Sequence, residues 1–225
     1  MSEDVEGDLP VVARGEAPPA DPDDLGTVAG ILLAAGESTR YGSDNKLLAT
    51  IDGEPVVRRA TRTLLEAGLG VVLVVTGHES ERVREALAGL DLHFAANPDY
   101  ETGQGSSVTA GVRTLFEGAV VPDAVVFALG DMPAVEPGTV RRLVGAYRAG
   151  HGDALAAAFE GSRGNPVLFD AEHLPALGDV QGDGGARDIL LGSDAAALVE
   201  TGDPGVLADV DDPDDLAAVA ALRED

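Results

Sequence analysis

The chain has 225 residues, 44% of them hydrophobic, with 40 Asp and Glu against 15 Lys and Arg, a formal net charge of −25, and no cysteine. That length suits one sizeable domain with a full core, and the missing cysteines exclude disulfides and thiolate metal sites. Without a basic stripe to neutralise phosphates, a nucleic-acid partner is excluded and an anionic membrane surface disfavoured.

Residues 1–26, rich in Asp, Glu, Pro and Gly, read as a flexible acidic leader. Order is expected from Thr27, where the run to Ala34 suits a strand buried on both faces. Similar strands are expected at 71–75, 92–96, 124–129 and 154–159. Helices are expected between them at 54–67, 80–90, 106–116 and 135–147. In the first, Val56, Val57, Ala60, Leu64 and Leu65 share a face and Pro55 stands in the first turn. Such alternation implies an α/β chain: a three-layer α/β/α sandwich, Rossmann-like, on a mostly parallel sheet. After about Gly161 the pieces shorten: strands at 166–169 and 206–210, a helix near 186–191 and another from Asp214. Residues 27–225 are expected as a single domain, with 161–225 a subregion on the same sheet. No apolar run approaches a membrane span and no signal-like segment opens the chain, so a soluble, cytoplasmic protein is expected.

The loop after the first long strand reads Leu32-Leu-Ala-Ala-Gly-Glu-Ser-Thr-Arg-Tyr-Gly-Ser-Asp-Asn-Lys46 and ends on the only lysine of the chain. Gly36 and Gly42 permit tight turns that present N–H groups to an anion, while Arg40 and Lys46 supply charge. A Walker loop is excluded because five residues separate the glycines and Lys46 comes late. A dinucleotide fingerprint fails too, since Val108 stands where Gly103-Gln-Gly105 needs a third glycine. By itself the loop fits either a phosphate cradle or a solvated strand-to-helix turn.

Further motifs follow in order. They are Asn97 to Gly111, with Gly103, Ser106 and Ser107; Gly130-Asp-Met-Pro133; Gly182-Asp-Gly-Gly-Ala-Arg187; and Asp209-Val-Asp-Asp-Pro-Asp-Asp215. Alone, Asp131 fits a cap, Ser106 a helix N-cap, and the Asp183–Arg187 run a glycine-rich turn with a surface ion pair. The last tract is not a calcium loop, because Pro213 and Asp214 occupy the region of the obligatory glycine. Loss of nearly all lysine is also what a high-salt cytoplasm favours, so a halophilic source is expected and any one acidic residue is first a solvating one.

Taken together, the five collinear motifs closely resemble those of the nucleotidyltransferases that make dinucleotide forms of the molybdenum cofactor, within the glycosyltransferase-A-like group. Ala34-Ala35 and the Gly-Asp-Gly-Gly-Ala-Arg run are most similar to the molybdopterin cytidylyltransferases. The resemblance implies a nucleotide-diphospho-sugar transferase-like fold, CTP as donor, Mg²⁺ as cofactor and molybdopterin as phosphate acceptor. It also implies a molybdoenzyme or its chaperone as downstream partner. It assigns Leu33, Ala34, Ala35, Gly36, Ser38, Arg40, Gly42, Lys46, Asn97, Gly103 and Ser107 to the nucleotide. Asp131 and Asp211 fall to the metal, Asp183 and Arg187 to the acceptor, and Arg40, Lys46 and Asp131 to catalysis. One departure bears on the acceptor: the family's Gly-His-Pro reads Gly164-Asn165-Pro166 here. Alternatives are transfer from GTP or another nucleotide to a different phosphate-bearing acceptor, and a non-catalytic cofactor carrier.

Overall fold

The computed structural model describes residues 9–38, 41, 44–118, 121–180 and 185–222. In chain order, β1 (Val11–Val12) and a 3-10 turn (Pro22–Thr27) precede β2 (Val28–Ala34). A 3-10 turn at Lys46–Leu48 leads to a small hairpin of β3 (Thr50–Ile51) and β4 (Glu54–Pro55) and then α1 (Val56–Ala67). Next come β5 (Val71–Thr76), α2 (Ser80–Ala86), β6 (His93–Ala96), a 3-10 turn (Tyr100–Thr102) and α3 (Gln104–Phe116). After β7 (Ala124–Leu129) and α4 (Pro137–Arg148) the chain runs through β8 (Ala154–Phe159) and β9 (Ser162–Asp170). It closes with α5 (Leu174–Leu177), α6 (Gly185–Gly192), β10 (Ala196–Glu200), a 3-10 turn (Pro204–Leu207) and α7 (Asp215–Ala221).

Among the described residues, eight strands form one sheet in the order β1-β10-β8-β9-β7-β2-β5-β6. Only β9 runs antiparallel to its neighbours, so the sheet is mostly parallel, as the alternating pattern predicts. Side chains alternate across it because a strand has a period of two. Val28, Leu32 and Ala34 of β2 meet Leu64 of α1, Val83 of α2 and Leu143 of α4 on one face. Ala29 and Ile31 meet Val108 and Val112 of α3 and Leu174 of α5 on the other. These are the two cores of a three-layer sandwich. On the α3 face the helix comes close: a Cβ on Gly111 would lie 2.9 Å from Ile31 Cγ2.

Three expectations change. Residues 9–26, read as part of a flexible leader, are built into the sandwich. β1 adds a parallel strand to β10, Val12, Ala17 and Leu25 are buried, and Arg142 donates to the carbonyls of Arg14 and Ala17. The expected strand at 206–210 is absent; Pro204–Leu207 forms a 3-10 turn capped by the Asp203 side chain. The strand in that part of the sheet is β10, whose Ala-Ala-Leu-Val-Glu sequence carries no period-two alternation because both its faces are covered. Pro55 does not enter the first helical turn: it pairs with Thr50 in the β3–β4 hairpin and stands as the N-cap of α1.

Candidate active site

The carboxyl ends of β2, β5 and β7 lie side by side, where an open α/β sheet reverses its winding and binds ligands. Gly130 N donates to Leu33 O (2.9 Å) and His78 N to Ala35 O (3.1 Å), which ties the three following loops together. A cleft of about 710 Å³ opens there. Gly130 is closely packed there, since a Cβ would lie 3.1 Å from Leu33 O and 3.2 Å from Ala34 Cβ and its neighbours would have to give by a few tenths of an ångström.

Lys46 is held by its own neighbours. Asn45 caps the 3-10 turn by accepting from Leu47 N (3.0 Å), and Ser38 Oγ accepts from Lys46 N (3.2 Å) while donating to Asn45 Oδ1 (3.3 Å). Asp131 projects from the turn after β7. Asp211 is brought beside it by a backbone tie, Val210 N donating to Asp131 O (2.9 Å). Asp215 then accepts from the N–H groups of Asp211 and Asp212 (2.9 and 2.8 Å), which fixes the bend that carries Asp211.

The Lys46 ammonium consequently lies 2.5 Å from Asp131 Oδ2 and 2.9 Å from Asp211 Oδ1. All three side chains are less than a quarter exposed. Burial alone would lower the Lys46 pKa, but the charge and hydrogen bond of Asp131, then those of Asp211, outweigh it and leave it raised. Asp209 stands close by, and burial together with the charges of Asp211 and Asp131 holds its carboxyl above the ordinary range. Asp131, Asp209 and Asp211 each offer an oxygen within 4.8 Å of the others. Three hard oxygen donors without nitrogen or sulfur fit Mg²⁺ or Mn²⁺ better than zinc.

Of the residues singled out from sequence, Leu33, Ala34, Ala35, Gly36, Ser38, Lys46, Gly103, Ser107, Asp131 and Asp211 line this one cleft. Arg40, Gly42 and Asp183 lie outside the described residues. Asn97 does not line the cleft. It is buried, and its Nδ2 donates to Ser106 Oγ (2.9 Å) and Ser107 Oγ (3.0 Å), so it braces the first turn of α3 from behind. Ser106 is not the N-cap; Gly103 is, at φ 107°, and Ser106 Oγ donates back to its carbonyl (2.8 Å). Arg187 stands exposed on α6 and is not among the residues lining the cleft.

Sequence reasoning passed over Asp209, Asn45, Tyr100, Glu101 and Gln104. Two of these left a signal. Asp209 and Asp211 are two apart, which in extended chain puts both carboxylates on one side. Asn45, immediately before Lys-Leu-Leu, is a standard helix-start residue.

Fold and crevice together place the protein among the α/β nucleotidyltransferases. Within that class the chain belongs to the MobA-like NTP transferase domain family, whose model matches residues 30–198. The late acidic tract lies beyond that match, so its place in the site comes from the backbone tie just described. Among relatives, a nicotine blue oxidoreductase of Paenarthrobacter nicotinovorans is 35% identical, over 74% of this chain and 83% of that protein. The purine catabolism protein PucB of Bacillus subtilis strain 168 is 32% identical, over 83% and 92%. Of solved structures, a Methanothermobacter nucleotidyl transferase superposes with a TM-score of 0.72 at 27% identity, over 88% of this chain and 99% of that one. Rv0371c of Mycobacterium tuberculosis H37Rv in complex with manganese gives a TM-score of 0.69 at 24% identity, over 86% and 98%, a likeness of fold.

Proposed function

We propose that this nucleotidyltransferase moves CMP from CTP to the terminal phosphate of molybdopterin, with Mg²⁺ as the metal, releasing pyrophosphate. The observation that carries the reading is the meeting of Lys46 with Asp131 and Asp211 on the floor of a glycine-edged cleft. The nucleophile is an acceptor phosphate oxygen, ionised near neutral pH, so no general base is needed. Its lone pair forms the new P–O bond to the α-phosphorus, and the bond to the bridging oxygen breaks with its electron pair leaving on pyrophosphate.

The residues divide that work. The loop from Ala34 to Ser38 and the first turn of α3 at Gly103 and Gln104 hold the triphosphate and sugar, through backbone N–H groups and the dipole of the helix N-terminus. Lys46 neutralises phosphate charge in a cleft whose other charged described lining residues are acidic. Asp131 and Asp211, with Asp209, would hold the metal, which when bound supplies charge neutralisation at the phosphates. Arg40 and Gly42 complete the nucleotide contacts, and Asn97 holds Ser106 and Ser107 in place. Asp183 and Arg187 serve the acceptor, and the product passes to a molybdoenzyme or its chaperone.

A second reading, transfer to another phosphate-bearing acceptor or from GTP, is favoured by Asn165 in place of the expected histidine. Asn165 borders a small hollow with Leu129, which also lines the cleft. The names of the two relatives, an oxidoreductase and a purine catabolism protein, also leave the acceptor open. Pyrophosphate release from each of the four nucleoside triphosphates, with and without molybdopterin, tests both. Release with CTP and molybdopterin only is the expected result. Release with another nucleotide or acceptor selects the second reading, and none in any combination, with a finished dinucleotide cofactor still bound, returns the protein to a carrier role.

A further inference from the structure

The position of the one lysine goes beyond what charge neutralisation of a triphosphate requires. Its ammonium already bridges Asp131 Oδ2 and Asp211 Oδ1, at 2.5 and 2.9 Å, and these are two of the three carboxylates that would hold the metal. Magnesium needs its oxygens at about 2.0–2.1 Å. At 2.5 and 2.9 Å the ammonium occupies one oxygen of each carboxylate, and its positive charge repels a divalent ion that approaches the same pair. Resting on the functional reading above, we infer that Lys46 is an exchangeable counterion. It holds the carboxylates together until a divalent metal enters, then leaves them for the phosphate oxygens of the nucleotide.

Charge balance supports the exchange. Three carboxylates within 4.8 Å of one another repel strongly unless a cation stands among them. The ammonium provides one positive charge and a divalent ion two, so neutralisation improves when the metal takes over. Freed, the ammonium follows the densest negative charge in the cleft, which is the incoming triphosphate rather than the single carboxylates of Glu37 and Glu101. A bare triphosphate meets repulsion from these acids, whereas its metal complex brings the displacing cation with it. The cleft therefore favours metal and nucleotide arriving together, and free metal binds weakly because it must evict the lysine unaided.

The single lysine makes the exchange directly observable. Protein grown on ¹³Cε,¹⁵Nζ-lysine gives one side-chain signal. That signal is expected to move on addition of Mg²⁺ with a non-hydrolysable CTP analogue, and with saturating Mg²⁺ alone. A signal that stays in place while Mn²⁺ binding is detected by electron paramagnetic resonance would overturn the exchange, since metal and ammonium would then coexist. A second arm measures Mn²⁺ affinity without nucleotide. Lys46→Met is expected to bind Mn²⁺ about tenfold more tightly than wild type, and Lys46→Arg, which keeps the charge, to stay near wild type. Equal or weaker binding by a Lys46→Met protein with a native circular dichroism spectrum overturns the proposal. Failure of every nucleotide to release pyrophosphate would remove the functional reading alone, because both metal-only measurements still decide the exchange.

Discussion

Lys46 shows how a single position in a very acidic chain acquires a role. Two carboxylates at least eighty residues away from it in sequence and from each other are brought to within 2.9 Å of its ammonium. In the role proposed for it, removal takes away charge stabilisation inside a partly desolvated cleft, an effect worth about 10²–10³ in kcat/KM. Lys46→Ala is expected to show that loss in a pyrophosphate-release assay. Arg62→Ala removes a half-exposed surface pair with Glu54 and Glu66 and is expected to stay within about twofold of wild type. Equal losses in the two variants would contradict the assignment. Tyr147 is a contrasting residue with a structural task. Its hydroxyl donates its one proton to Asp170 Oδ2 (2.5 Å), with Asp123 O lying 3.1 Å from the same oxygen, which brings α4 against β9 and the chain just before β7. Burial first, then the Asp170 hydrogen bond and charge, push its pKa well up. A folded pKa raised above the unfolded value of about 10 means that the contribution is complete below that pH. It is lost as pH rises from there toward the folded pKa. Urea melts of wild type and Tyr147→Phe should differ by about 1–2 kcal/mol at pH 7 and converge above pH 10. A gap that is constant with pH would mean that the hydroxyl is not the source.

At the scale of elements, the sequence was most readable where burial is two-sided and long. The runs at β2, β5, β7 and β8 are almost wholly apolar, mostly Val, Ile, Leu and Ala, and every one is a central strand. It was least readable where a short segment borrows its order from a neighbour. Residues 9–26 have the composition of a solvated tail, yet Ala20 N donates to Arg141 O and Leu198 N to Pro10 O, both at 2.9 Å. Local composition cannot report such partners, which lie more than a hundred residues away. The Asp52-Gly53 turn, with φ of 52° and 81°, did carry a local hairpin signal, and it explains why α1 begins at Val56 rather than Glu54. The site divides in the same way. The glycine loop and Lys46 are legible as a local pattern, whereas the approach of Asp211 depends on a backbone bond between Val210 and Asp131. A test of the N-terminal packing uses Gly145 of α4, where a Cβ would lie 2.0 Å from the carbonyl oxygen of Pro18. That neighbour is backbone and cannot rotate away. Gly145→Ala is expected to lower stability by about 1–3 kcal/mol despite its better helix propensity, and to speed proteolysis within residues 9–21. A stabilised variant would mean that the segment does not pack on α4 as described.

For the molecule as a whole, the charge of −25 and the chemistry of the site pull against each other. Substrates of nucleotidyl transfer are polyanions, so long-range repulsion slows their approach to such a protein and the same repulsion destabilises its compact state. Salt relieves both. The screening length falls from about 10 Å at 0.1 M to about 3 Å at 1 M, shorter than most separations between surface carboxylates. The partly buried pairs of Lys46 with Asp131 and Asp211 are screened less than fully exposed charges. High salt should therefore strengthen the fold without dissolving the site, which is the behaviour expected of a protein adapted to a saline cytoplasm. Calorimetry between 0.1 and 2 M KCl is expected to show Tm rising, by about 2–4 °C for each kcal/mol of repulsion removed in a domain of this size. The KM for the nucleotide at fixed Mg²⁺ is expected to fall or hold over the same range. Chloride is only weakly excluded from protein surfaces, whereas sulfate strengthens apolar burial in any protein, so KCl is the discriminating salt. If Tm rises in sulfate but stays flat in KCl, self-repulsion is not what limits this fold, and the acidity of the surface has some other cause.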